Sequence, residues 1–447
     1  MNDASGLAPE FTDWLAKVAD GPVRRVERAV ARREAWLVDA GPDDEGQRLF
    51  VRLARPADPA NSREGLLHEA AVVAALADSP VPVPQVRGVD PTLGIVAYEF
   101  VAGSSDLQSE APDQQQAVYR HYLECLATLH RLDLDATGLD LPRPASPEAC
   151  ALASVDEVAA AMGPLITEPL ATFGVSWLRR NAPRSVEHVA LLHGDAGTPN
   201  FVYDGRQVSA LIDWEWAHIG DPMEDLGNTC VHASFHPSGD FAELLSHYER
   251  VSGLPVDIDR VRYYRAHLMV RSVLALAAVT ARWDPHVPVA LNLCFRVISD
   301  RICCDAIAEA MGIKLERPEL PFVPEPDVSL YDVVVANLRE DVVPSLPEAF
   351  ARNRAETAAL LVAALEREHR IGPTVAEIEL DELAELLGRY PADLASGLAE
   401  LDRAATSWPI DREEQLLRYL ARRAWRTEQL LRPVVSLYPD VELRPIT

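Results

Sequence analysis

Residues Leu191–Gly227 read LLHGDAGTPNFVYDGRQVSALIDWEWAHIGDPMEDLG. Within them, Asn200–Tyr203 (NFVY) and Ser209–Trp214 (SALIDW) predict short strands around a turn at Asp204-Gly205. Asp195 and Asn200 then share one tight loop, and Asp213, at the end of the returning strand, folds back beside it. Two carboxylates and an amide so placed suit transfer of a γ-phosphoryl group. One carboxylate, Asp195, orients an acceptor hydroxyl and takes its proton. The other, Asp213, helped by the amide oxygen of Asn200, holds magnesium on the phosphates. Such a reaction asks the protein mainly for position and charge. The competing use of aspartates is in turns and helix caps.

Taken in order, H-G-D-x-x-x-x-N (His193-Gly194-Asp195 to Asn200), I-D-W-E (Ile212–Glu215) and G-D-P-x-x-D-L (Gly220–Leu226) resemble the aminoglycoside phosphotransferase family of protein-kinase-like small-molecule kinases. Each piece alone is weak; the ordered set is specific. The resemblance spans about residues 20–310. It implies an α+β, bilobal fold with a small antiparallel-sheet N-lobe and a mostly helical C-lobe, and ATP with Mg²⁺ as cofactors. It makes Asp195 the catalytic base, has His193 brace the loop, and assigns the metal to Asn200 and Asp213. Asp221 and Asp225 would cap and anchor the following helix, and Glu215 would face either substrate or surface. In the N-lobe, Arg52 would lie over the α- and β-phosphates with Glu69 as its partner. An arginine there differs from a lysine, because a planar fork binds phosphate or carboxylate otherwise than a point charge does. Glu99-Phe100-Val101 resembles the hinge whose backbone meets adenine, and Leu126–His130 the helix that supports the catalytic loop. One departure is plain. The first loop, Ala29-Val30-Ala31-Arg32-Arg33-Glu34, has none of the glycines that let backbone N–H groups approach phosphates.

Outward from this segment, Arg24–Ala29, Ala35–Ala40 and Arg48–Ala54 read as strands, and Gly94–Val101 as another. Arg63–Asp78 reads as a helix with Leu66, Ala70, Val73 and Leu76 near one face. This is a small sheet with one helix. Helices dominate from Gln114–Leu132 onward, and Arg260 to about Met311 predicts two or three long ones. Pro318, Pro321, Pro324 and Pro326 favour an extended linker. Beyond it, Leu330–Arg339, Arg354–Arg370, Asp381–Tyr390, Ala392–Ala405 and Arg412–Leu431 are amphipathic, with no strand candidate. The expected organisation is a nucleotide-binding lobe (1–101), a helical catalytic and substrate lobe (102–316), a proline-rich linker (317–327) and an all-α accessory domain (328–447).

Sixty-nine acidic against 42 basic residues give a formal charge of −27, a field that opposes non-specific binding to nucleic acid or anionic lipid. The six cysteines form no C-x-x-C, and the N-terminus lacks a basic n-region and an apolar h-region, so a cytoplasmic protein with reduced thiols is expected. His232 and His236 are four apart, but Pro237-Ser238-Gly239 follows and no third ligand is evident, which favours a capping or core role. Trp214 and Trp216 read as packing.

Such motifs fix the reaction class and leave the acceptor open, since the variable helical lobe binds it. The segment Leu330–Glu348 (LYDVVVANLREDVVPSLPE) resembles an uncharacterised helical domain found beside such phosphotransferases, in settings where acyl-CoA dehydrogenases are frequent neighbours. That implies a small-molecule hydroxyl substrate such as a hydroxyacyl-CoA or hydroxy acid. An aminoglycoside or other antibiotic is the runner-up, and a nucleotide-binding pseudokinase scaffold is the reading from another class. The C-terminal helices would serve a homodimer or a protein partner.

Overall fold

The computed structural model describes residues 7–29, 35–42, 46–54, 62–162, 168–236, 239–281, 283–284, 287–324 and 328–446. Two compact units divide them. Unit 1 holds Met1–Ser146, Ser185–Val261 and Ile446–Thr447; unit 2 holds Pro147–Arg184 and Arg262–Pro445.

Unit 1 starts with α1 (Pro9–Val18) and three antiparallel strands, β1 (Val23–Arg28), β2 (Ala35–Ala40) and β3 (Gln47–Leu53). After α2 (Arg63–Leu76), β4 (Val86–Asp90) and β5 (Ile95–Glu99) complete one sheet in the order β1-β2-β3-β5-β4. All four pairings are antiparallel, with Arg52 opposite Ala35 and Val96. Alternation turns Trp36, Val38, Leu49 and Val51 into a core shared with Leu15 of α1. Ser62 caps α2 by accepting from the Gly65 N–H at 3.0 Å. Leu66, Ala70, Val73 and Leu76 of α2 are buried, as their spacing predicts, and Glu69 is buried with them. The first loop that lacks glycines falls at residues 30–34, outside the described residues.

Next come α3 (Pro112–Leu129) and, in unit 2, α4 (Pro147–Met162) and α5 (Pro169–Asn181). Unit 1 resumes with β6 (Ala190–Leu192), β7 (Phe201–Asp204), β8 (Gln207–Leu211) and β9 (His218–Gly220). They form two small ladders, β6 with β9 and β7 with β8. Helices α6 (Pro222–Phe235) and α7 (Phe241–Ser252) follow. Under the loop between β6 and β7, Tyr122 stacks on Phe201 at 4.7 Å and Tyr119 meets both rings edge-on. Such pairs give a rigid floor at little conformational cost.

Unit 2 is helical: α8 (Ile258–Thr280) from Arg262 onward, α9 (Val289–Met311), α10 (Leu330–Ala336), α11 (Val343–Ser345), α12 (Ala349–Leu387), α13 (Leu394–Ala405), α14 (Glu413–Leu430) and α15 (Arg432–Val435). The compact units do not part at 317–327. Buried Arg301 of α9 donates to Glu428 of α14 at 2.6 Å, and Trp425 of α14 donates to the Pro318 carbonyl at 2.9 Å. The proline-rich stretch is therefore held against helices of its own unit, not strung between two; residues 325–327 lie outside the described residues. Helix α12 runs through Gly372 and Pro373, where the sequence suggests a break. Ile371, Val375, Glu379 and Leu383, each four residues on, are buried, so one stripe stays in register across the proline.

All six cysteines are buried, and burial pushes the Cys125 and Cys294 thiols up to about 12. Thiols so shielded are poor nucleophiles. Among the described residues no helix is long and apolar enough to cross a membrane.

Candidate active site

The loop after β6 is fixed from below by Asp225. This fully buried carboxylate accepts from the backbone N–H of His193 at 2.8 Å and of Gly194 at 2.9 Å. It also meets His130 Nε2 at 3.0 Å, whose Nδ1 lies 2.7 Å from the Tyr248 hydroxyl. Asp221, by contrast, caps α6, accepting from the Met223 N–H at 3.0 Å. The two aspartates of the G-D-P-x-x-D-L stretch thus divide the work, and Asp225 anchors the loop and not the helix end. Asp225→Ala strands two buried N–H groups and a buried imidazole. We expect a loss of about 3–5 kcal/mol in chemical denaturation, and an unchanged midpoint would remove this anchoring role.

His193 is buried, with Nε2 at 2.8 Å from the Ile212 carbonyl and its ring tilted 4.6 Å from that of Trp214. Gly194 has φ +77°, and a Cβ there would stand 2.0 Å from the Trp216 carbonyl oxygen, so only glycine fits. Asn200 Nδ2 donates to the Asp195 carbonyl at 2.7 Å and to Asp195 Oδ2 at 2.9 Å. Both partners are acceptors, so the amide nitrogen must face them and the amide oxygen is left for a cation. The Asn200 carbonyl in turn accepts from the Ile212 N–H at 3.0 Å, which places Asp213, the next residue, beside the loop.

Asp213 has φ +64°, a left-handed conformation that aspartate tolerates better than most side chains. Its Oδ1 accepts from Arg52 Nη1 at 3.0 Å. The same nitrogen lies 3.1 Å from Glu69 Oε2, and Arg52 Nη2 is 3.8 Å from Glu215 Oε2. Glu69, Asp213 and Glu215 together offer carboxylate oxygens within 4.8 Å of one another. Burial opposes the Arg52 charge, and Glu69 and then Asp213 outweigh it, holding its pKa above the usual value. A guanidinium cation therefore sits where three carboxylates converge. Glu215 is turned to this cluster and is only 13% exposed.

At the end of β5, the Glu99 N–H donates to the Gln85 carbonyl at 2.9 Å and the Phe100 N–H to the Arg48 carbonyl at 3.2 Å. The Arg48 guanidinium lies 5.4 Å over the Phe100 ring. Val101, which follows, is half-buried.

The sequence reading misses one neighbour. His232 is neither a cap nor a core histidine: its Nε2 lies 3.1 Å from Asp195 Oδ1. His236 turns elsewhere, its Nδ1 3.1 Å from Gln108 Nε2, and burial pushes it down to about 4. The signal that points to His232 is its spacing of seven from Asp225, two turns along one helix face.

Residues 25–264 match the phosphotransferase enzyme family, more than half of the 447-residue chain. The chain belongs to that family. It has the fold of a phosphotransferase of that family. In fold it is similar to the crystal structure of a Ralstonia eutropha protein assigned as an aminoglycoside phosphotransferase. The two share 20% identity at a TM-score of 0.51, over 68% of this chain and 98% of that one. Among curated proteins it is 28% identical over 292 residues to the probable acyl-CoA dehydrogenase IBR3 of Arabidopsis thaliana, covering 56% of this chain and 35% of that protein. It is 26% identical over 196 residues to mouse acyl-CoA dehydrogenase family member 10, covering 40% of this chain and 17% of that protein. The chain spans about a third or less of these relatives' length.

Proposed function

We propose that this phosphotransferase moves the γ-phosphoryl group of ATP, with Mg²⁺, to a hydroxyl of an acyl-CoA or related hydroxy acid. Asp195 is the base that orients the acceptor hydroxyl and receives its proton, and His193 braces its loop. Asn200 and Asp213 would hold the metal, whose charge would offset that of the phosphates. Their donors fit: an amide oxygen left free by the bonding of its nitrogen, and a carboxylate that already attracts a cation. Arg52, steadied by Glu69, contacts the α- and β-phosphates, and the backbone of Glu99–Val101 receives adenine. The main support is Asn200, which touches Asp195 through its side chain and is tied to Ile212, beside Asp213, through its backbone.

The acyl thioester rests on the company the chain keeps. Its curated relatives carry acyl-CoA dehydrogenase names and extend well beyond the matched part. The test is ADP release with Mg·ATP and a panel of hydroxyacyl-CoAs, sugars and aminoglycosides. We expect only hydroxyacyl-CoAs to raise release well above the basal rate. Selective stimulation by an aminoglycoside would replace this acceptor assignment.

A further inference from the structure

We propose that His232 is a positioning residue for Asp195, fixing one carboxylate oxygen while Asn200 fixes the other. The inference rests on the reading of Asp195 as base. A terminal carboxylate torsion is soft and nearly two-fold, so an unheld aspartate spreads its lone pairs over a wide arc. A base works only with a lone pair aimed at the acceptor proton. Here Oδ2 accepts from Asn200 at 2.9 Å and Oδ1 lies 3.1 Å from His232 Nε2, so two donors from different elements set the carboxylate plane. An ionised carboxylate offers only acceptors, so the hydrogen of this bond is on Nε2.

Helix α6 is the common jig. Asp225 holds the N–H groups of His193 and Gly194, and His232, two turns on, holds the side chain of Asp195. One face of one helix thereby orients three consecutive residues of the loop. Gly197 makes room for this approach, since a Cβ there would come 2.4 Å from the Cβ of His232. Both partners are mostly shielded, with side chains 19% and 25% exposed, so water competes weakly for the bond. The imidazoles of His232 and His236 have separate partners, Asp195 and Gln108, which sets aside a shared metal.

The test follows ATP hydrolysis with water as acceptor, so that it does not depend on the natural one. His232→Leu, His232→Asn and His232→Gln are compared with Asp195→Asn, and Mg·ATP affinity is read by calorimetry. Loss of one charge-assisted hydrogen bond predicts a fall in kcat of about tenfold for Leu and for Asn, which is too short to reach. Gln places an N–H near the old Nε2 and should recover at least about half of the rate, with Mg·ATP affinity within about twofold throughout. A purely structural histidine would show no rescue by Gln, and equal rates for the three variants would overturn the proposal. If Asp195→Asn collapses hydrolysis while His232→Leu does not, only this inference fails. If Asp195→Asn is itself silent, the base assignment fails and takes this one with it. Independently of turnover, nitrogen NMR should find His232 carrying its proton on Nε2, with the signal perturbed in Asp195→Ala; a ring protonated at Nδ1 alone overturns the proposal.

Discussion

Asp195→Asn leaves a folded protein that binds Mg·ATP as tightly as the wild type and turns over about 10²-fold more slowly or worse, the scale of a lost general base. The substitution keeps shape and size and removes the ability to take a proton. It also sets an amide against the two donors from Asn200 and His232, so one of these bonds must be given up. The proposed nucleotide-side groups, Arg52, Glu69 and Asp213, are joined by ion pairs of their own. The split between binding and turnover is thus the informative readout. Full kcat in the variant would remove Asp195 from its role.

The second large effect is at Asp213. Asp213→Ala should abolish Mg²⁺-dependent nucleotide binding and turnover, because it removes the only carboxylate of the proposed metal pair. Alanine is also strained at φ +64°, so Asp213→Asn serves as control: asparagine accepts the left-handed conformation and lacks only the charge. Both variants should bind nucleotide equally with and without Mg²⁺. A wild-type Mg·ATP affinity in either one would refute the metal assignment.

Legibility in the sequence follows the range of the interactions involved. Strand β2 occupies Ala35–Ala40 as read, and α2 buries the four positions its period singles out, because alternation and helical spacing are local signals. Strand β4 is hidden from such a reading because Pro82 and Pro84 precede it, Gly88 sits inside it, and its pairing with β5 is tertiary. Long α12 reads as separate segments since Gly372 and Pro373 are ordinarily stop signals; the stripe that overrides them is visible only once its partners are in place. Near the loop, the approach of Asn200 to Asp195 is legible because one short motif carries both, and Asp213 follows in the next motif. His232 is not, since a histidine near a helix end has many uses and only the folded loop shows which applies.

The division into compact units crosses the backbone four times, after Ser146, Arg184, Val261 and Pro445. Severing the chain once therefore liberates neither half. A polypeptide stopped near residue 316 keeps α4, α5, α8 and α9 but strips away α14, against which Arg301 is neutralised. Such interlacing means that the all-helical portion cannot be treated as a detachable appendage. Proteolytic fragments should stay associated after a single nick, and gene-level shortening at the C-terminus should damage folding before it informs on catalysis.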